Sequence, residues 1–124
     1  MITPVAVDHV VPTFGYIVED ERSAVVLCPD TGPTERIWEV ARDRPNLEAV
    51  FLGAAFPEDM EEMARISAHL VPSQFRREIA KLGRSVDVVA VHIKPRYRKQ
   101  IIRELEGLGL DSLEIGTSDK EYTF

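Results

Sequence analysis

Three short segments of this sequence each place one side chain that can bind a metal beside a turn expected to end a β-strand. His9 lies in DHVVPTFGY, Asp30 in CPDTGP and His92 in VHIKPRY. Two residues separate Asp30, and likewise His92, from a proline that can begin a helix. Because ligands collect at the carboxyl edge of α/β sheets, we expect the carboxylate and the imidazole to converge there.

Each of these side chains also has a structural interpretation when it is taken singly. A carboxylate such as that of Asp30 often accepts hydrogen bonds from nearby backbone amides in a turn. His9 and His92 suit partly buried positions at the ends of strands. The residue types alone therefore leave a metal site and a structural role both open.

Hydrophobic periodicity predicts the elements that position these residues. Short apolar or β-branched runs, typical of strands, occupy residues 5–10, 16–18, 24–27, 49–52, 86–91, 113–115 and 122–124. Helical spacing and helix-starting prolines predict helices over residues 33–42 and from Pro57, Pro72 and Pro95. The order βββ-α-β-α-α-β-α-β-β predicts an α/β fold with helices on one face of a single mixed sheet.

The second face of this predicted sheet has no helix to cover it. The strands at residues 49–52 and 86–91 are almost entirely apolar, which is typical of strands buried on both faces. We therefore expect the chain to be at least a dimer, or to bind a partner, through the uncovered face.

Taken in order, the three segments resemble the later half of a metallo-β-lactamase-fold hydrolase, most nearly the branch with tRNase Z and the class II cyclic-nucleotide phosphodiesterases. That branch has a His before a Gly-Tyr strand, a metal-bridging Asp in a Gly-Asp-Thr segment, and a metal-binding His in a Thr-His-hydrophobic-x-x-Arg-Tyr segment. His9 before Gly15-Tyr16, Asp30 in PDTGP and His92 in VHIKPRY match these positions. The HxHxDH motif of the family's first half does not occur in this sequence. The resemblance implies one domain over residues 1–124, half of an αββα sandwich.

This resemblance also implies a binuclear site for Zn²⁺ or Mn²⁺, with His9, Asp30 and His92 as metal ligands. Each Zn²⁺ needs three or four protein ligands for tight binding, and HxHxDH would supply most of them. We therefore expect metal binding by this chain alone to be weak or absent.

Three more residues have candidate roles, His69 through the resemblance and two cationic residues through their position. His69 in SAHLVP corresponds to a histidine that transfers a proton near the scissile phosphate; its alternative role is structural, at a helix junction. Lys94 and Arg96 lie beside the predicted metal edge and would bind a substrate phosphate, and solvated surface charge is their alternative.

Some positions depart from the pattern of the family. Gly53 stands where the branch often has an acidic partner for His69, Pro29 replaces the glycine before the bridging Asp, and Val71 replaces a threonine helix cap. These departures indicate drift away from catalysis.

Two functions therefore remain. The first is a partial metal-dependent hydrolase of phosphodiesterase type that needs its HxHxDH half for activity. The second is a catalytically silent half-domain that dimerises or binds a partner.

Composition limits the other classes of function. The 124 residues are 44% hydrophobic and 29% charged, as in a packed globular domain. The net charge of -6 argues against non-specific nucleic-acid binding unless cationic side chains gather on one face. A single cysteine, Cys28, and an N-terminus without a basic and apolar leader predict a reducing, cytoplasmic compartment. No apolar run approaches the roughly 20 residues that span a bilayer.

Overall fold

The computed structural model describes residues 1–124 and contains one six-stranded sheet. The strands are adjacent in the order in which they occur along the chain. Their bounds are β1 Ile2–Val7, β2 Thr13–Glu19, β3 Ala24–Cys28, β4 Leu47–Gly53, β5 Asp87–Val91 and β6 Leu113–Ile115. Strands β1, β2 and β3 pair antiparallel, whereas β3 to β6 pair parallel. The sheet is mixed, as the sequence predicts.

The connections follow from local chemistry. Between β2 and β3 the side chain of Asp20 accepts hydrogen bonds from the amides of Arg22 at 2.7 Å and Ser23 at 2.9 Å, which closes a tight hairpin. The parallel strands need longer crossovers, and helices supply them.

Four α-helices and two short 3-10 helices form these crossovers. Their bounds are α1 Arg36–Arg42, α2 Glu61–Ser67, α3 Pro72–Ala80 and α4 Arg98–Glu106, with 3-10 helices at Glu58–Met60 and Pro95–Tyr97. None of the helices is long and apolar enough to cross a membrane.

One hydrophobic core joins α1, α3 and α4 to the same face of the sheet. The helices contribute Ile37, Trp38, Ala41, Phe75, Ile79, Ile101 and Leu105 to it. The strands contribute alternate residues, among them Ile17, Val26, Val50, Leu52, Val88 and Ala90. The prediction of helices on one face of a single sheet is therefore confirmed.

A buried carboxylate fixes the loop that precedes α1. Glu78 on α3 is only 2% exposed, and its Oε1 accepts hydrogen bonds from the amide of Thr34 at 3.0 Å and from Nε1 of Trp38 at 2.9 Å. Its Oε2 pairs with Nζ of Lys81 at 2.7 Å. The helix begins at Arg36, later than the predicted position 33.

The opposite face of the sheet, which we call the outer face, is only partly covered. Towards β1 and β2 it exposes Ile2 (65%), Phe14 (51%) and Tyr16 (40%). Towards β4 and β5, the rings of Tyr122 and Phe124 pack edge-on against Phe51, at centroid distances of 5.2 and 6.0 Å.

The predicted strand at residues 122–124 is wrong. These residues have no strand pairing. Instead, Nζ of Lys120 binds Oε1 of Glu114 at 2.6 Å, and the chain beyond it packs its aromatic side chains across the outer face. Alternating aromatic residues satisfy a strand pattern and a packed tail equally well, so the pattern could not distinguish them.

Candidate functional site

Four side chains meet at one edge of the sheet. Since β1 and β3 are both antiparallel to β2, they run in the same direction, and β5 shares that direction through β4. The carboxyl ends of β1, β3 and β5 therefore lie at one edge. His9 and Asp30 each come two residues after such a strand and His92 comes directly after one, while His69 lies between α2 and α3.

Three of these side chains form a group that could hold a metal ion. The ligand atoms of His9, Asp30 and His69 all lie within 4.8 Å of one another. Ligand atoms around a tetrahedral Zn²⁺ are about 3.3 Å apart, given bonds of about 2.0–2.1 Å. Two imidazoles and one carboxylate are suitable donors, so the group fits a divalent cation after a modest contraction.

A hydrogen bond fixes the orientation of His9. Its Nδ1 lies 2.9 Å from the carbonyl oxygen of Ala68, and since a carbonyl only accepts, Nδ1 must donate. The proton on Nδ1 leaves Nε2 with a free lone pair for a metal. Histidine ligands in proteins are usually oriented by such a second hydrogen bond.

The loop that carries His9 is also fastened to the loop that carries Asp30. The carbonyl oxygen of Asp8 accepts hydrogen bonds from the amide of Gly32 at 2.8 Å and from Oγ1 of Thr31 at 3.4 Å. Thr31 is 2% exposed, so this link is shielded from water. The close approach of the two loops therefore does not require a bound ion.

His92 adjoins the three-residue group through Asp30. Its Nε2 lies 3.0 Å from Oδ1 of Asp30, close to the separation of two ligands on one ion. Its backbone has a positive φ of 56°, which is uncommon outside glycine and often marks a functional site. The ring of His92 stacks on that of His69 at 5.8 Å. Asp30 thus lies between His9 and His92, where a bridging carboxylate would have to be.

The surroundings of His69 favour its neutral form. Burial, followed by the neighbouring His9, lowers the pKa of His69 below its usual value, and the positive charge of Lys94 contributes further. Its ring meets His9 edge-on at 5.0 Å and Phe56 at 5.8 Å. A neutral imidazole is the form that binds metals and accepts protons.

The two predicted phosphate-binding residues lie next to this cluster. Nζ of Lys94 stands over the ring of Phe56 at 5.1 Å, and the guanidinium of Arg96 stands over the ring of Tyr97 at 5.7 Å. Phe56 also contacts His69 and Tyr97, so it connects the histidine cluster with the basic segment.

The missing acidic partner of His69 has a steric explanation. A Cβ at Gly53 would lie 2.0 Å from the carbonyl oxygen of Pro29, so no side chain fits there with this backbone. Pro29 and Gly53, two of the three departures noted in the sequence, are therefore in direct contact at the ends of β3 and β4. They form one local change rather than two independent ones.

Cys28 is a core residue rather than a nucleophile. Burial, followed by the negative charges of Glu78 and Asp30, raises the pKa of its thiol to about 12. The side chain is fully buried, as the sequence predicts for a strand residue.

The structure brings together all four of the histidine and aspartate side chains singled out in the sequence. It places His69 inside the close group and His92 against Asp30, whereas the sequence predicts His92 as the metal ligand and His69 as the proton-transfer group. Those two roles stay predictions. Sequence reasoning missed the role of Ala68. This residue ends α2 in the left-handed conformation (φ 54°), and its carbonyl oxygen is the hydrogen-bond partner of His9. Neither glycine nor asparagine marks that turn, so no sequence signal could have found it.

Comparison with known proteins supports the fold. No protein-family model matches the sequence, and no curated protein matches it. Among solved structures, the chain superposes on unliganded yeast PDE1 with a TM-score of 0.73 at 21% identity, covering 93% of this chain and 42% of that one.

Two further solved structures have the same fold. The metallo-β-lactamase fold protein YhfI from Bacillus subtilis matches with a TM-score of 0.76 at 15% identity, over 94% of this chain and 46% of that one. The short form of human tRNase Z matches with a TM-score of 0.69 at 15% identity, over 93% of this chain and 39% of that one. The chain spans less than half the length of each of these proteins. Its sheet and helices are therefore part of a metallo-β-lactamase fold.

Proposed function

We propose that this chain is part of a metal-dependent hydrolase of phosphodiesterase type, active only together with a complementary part that carries HxHxDH. One observation carries the proposal. Four side chains meet at the carboxyl edge of a metallo-β-lactamase-like sheet: the ligand atoms of His9, Asp30 and His69 lie within 4.8 Å of one another, and Nε2 of His92 lies 3.0 Å from Oδ1 of Asp30. The likeness to yeast PDE1 and human tRNase Z supports the same class of reaction.

Each residue has a role in this proposal. His9, Asp30 and His92 would hold Zn²⁺ or Mn²⁺, with Asp30 shared between the two histidines. A divalent cation held there would polarise a phosphoryl oxygen of the substrate. His69, whose surroundings lower its pKa and so favour the neutral form, would transfer a proton near the scissile bond. Lys94 would position a phosphate, and Arg96 would extend that contact.

Zinc titration by calorimetry tests the ligand set without any need for activity. We expect weak binding by the chain, which Asp30→Ala and His9→Ala weaken at least about tenfold, because each removes a ligand. His92→Ala should have the same effect and His69→Ala a smaller one. Asp111→Ala, which removes an exposed carboxylate elsewhere, is the matched control.

Two results would count against this ligand set. If His69→Ala weakens zinc binding more than His92→Ala does, His69 is a ligand and the assignment of His92 is wrong. If Asp30→Ala and Asp111→Ala have equal effects, the cluster is not a metal site. Circular dichroism of each variant separates loss of binding from loss of folding.

The outer face supports the alternative function, a silent module that dimerises. Ile2, Phe14 and Tyr16 lie together on the neighbouring strands β1 and β2 and are 65%, 51% and 40% exposed. A contiguous apolar surface of this kind is typical of a protein interface. In the active enzyme the complementary part would cover it, and in the isolated chain a second copy would.

Sedimentation velocity tests this interface. We expect the chain to dimerise at micromolar concentration and Phe14→Glu with Tyr16→Glu to make it monomeric, because the new charges cannot be buried without a partner. Met63→Glu with Ile66→Glu is the matched control, since these side chains are 49% and 59% exposed on α2. A folded monomer that binds no dye specific for apolar surface would rule out dimerisation through this face.

A further inference from the structure

A run of positive charge without counter-ions extends from the histidine cluster along α4. Residues 88–103 contain no Asp or Glu but include five cationic residues. We call these five the basic strip: Lys94, Arg96, Arg98, Lys99 and Arg103. This local excess contrasts with the net charge of -6 for the whole chain.

The strip differs from most other cations of the protein in having no polar partner. Five basic residues elsewhere pair with carboxylates, namely Arg36, Arg44, Arg65, Lys81 and Lys120. Three more donate to backbone carbonyls, namely Arg42, Arg76 and Arg84. No side chain of the strip forms an ion pair or a hydrogen bond; Lys94 and Arg96 contact only aromatic rings. These cations are therefore free to meet an external anion.

Helical geometry directs most of the strip outwards. Lys99 and Arg103 are four residues apart on α4, so they share one helical face. Arg96 lies in the 3-10 helix just before it, and all three are exposed. Ile101 and Leu105 occupy the opposite face and are fully buried in the core. The rise from residue 96 to residue 103 is about 10 Å.

The surface beside these residues is concave, and one of the residues that line it connects to the candidate site through a buried ring. A groove of about 480 Å³ is lined by Arg96, Arg98, Lys99 and Arg103 together with Tyr97 and Gln100. Tyr97 contacts Phe56, which in turn contacts His69. An elongated anion bound along the strip would therefore extend towards the histidine cluster.

We propose that the basic strip binds the phosphate backbone of single-stranded nucleic acid, without sequence preference. Regularly spaced cations complement a row of phosphates, and the half-buried ring of Tyr97 offers a surface on which a base can stack. A membrane surface is the weaker candidate, because residues 93–110 expose no large hydrophobic side chain that could enter a bilayer. This inference concerns binding alone and holds whether or not the metal site is catalytic.

Fluorescence anisotropy with a labelled 12-nucleotide oligo(dT) tests the proposal. EDTA in the buffer excludes hydrolysis and metal bridging, so a failure here is separate from a failure of the proposed function. We expect binding at 50 mM salt. The logarithm of the binding constant should fall linearly with the logarithm of the salt concentration, with a slope of about -2 for about three phosphate contacts. Lys99→Gln with Arg103→Gln should weaken binding at least about tenfold and reduce the slope by about 1.4.

Arg22→Gln with Arg77→Gln is the matched control. These two arginines are also exposed and without polar partners, but they lie outside the strip. The double control should change affinity less than twofold. Absence of oligo(dT) binding at 50 mM salt, or equal losses in both double variants, would overturn the proposal. Strip-dependent binding to phosphatidylglycerol vesicles without binding to oligo(dT) would overturn it as well.

Discussion

The isolated chain is expected to hydrolyse bis-p-nitrophenyl phosphate with added Zn²⁺ or Mn²⁺ no faster than the metal solution alone. The proposed ligands are His9, Asp30 and His92, with His69 beside them, and two tightly held metal ions need three or four protein ligands each. Metal-assisted phosphodiester hydrolysis depends on those ions for most of its rate enhancement. A complementary part that carries HxHxDH should restore turnover.

The release of p-nitrophenol measures this rate, and Asp30→Ala and His92→Ala serve as comparisons. Both variants should be indistinguishable from the unaltered chain when the complementary part is absent. Metal-dependent turnover that either substitution abolishes would show that the chain assembles a working site by itself. Both the requirement for HxHxDH and the silent-module alternative would then have to be abandoned.

Replacing Glu78 with alanine is expected to lower the free energy of unfolding by about 3 kcal/mol or more. The substitution leaves Nε1 of Trp38 and the amide of Thr34 without acceptors in positions that are 0% and 3% exposed. It also removes one of the carboxylates that, against the effect of burial, raise the pKa of Lys81. Two orphaned buried donors and a partly buried cation make this one of the costliest single changes in the chain.

Urea unfolding followed by tryptophan fluorescence measures the effect, since Trp38 is the only tryptophan. Glu35→Ala is the matched control, because Glu35 also pairs with Lys81 at 2.7 Å but its side chain is 74% exposed. That control should lose less than about 1 kcal/mol. Glu78→Gln keeps an acceptor for Trp38, so its loss of unfolding free energy should lie between those of Glu78→Ala and Glu35→Ala. Equal losses for Glu78→Ala and Glu35→Ala would contradict the view that this buried network fixes the loop before α1.

The sequence by itself determined most of the fold. Short apolar or β-branched runs placed all six strands, and prolines marked the starts of α3 and of the 3-10 helix before α4, because both signals depend on neighbouring residues alone. The same locality explains the error at residues 122–124, where a packed aromatic tail has the spacing of a strand. The position of Asp30 and His92 at strand ends also followed from the sequence, since strand ends lie at the sheet edge.

Only the tertiary structure decided how the site is built. His69 comes 39 residues after Asp30 along the chain, and packing of the α2–α3 junction against the loop after β1 brings the two together. The orientation of His9 depends on the carbonyl of Ala68. The steric requirement for glycine at position 53 comes from the carbonyl of Pro29. Backbone groups of this kind are present at every residue, so a sequence carries no mark of the ones that matter. Contacts between distant segments select them, and those contacts exist only in the folded chain.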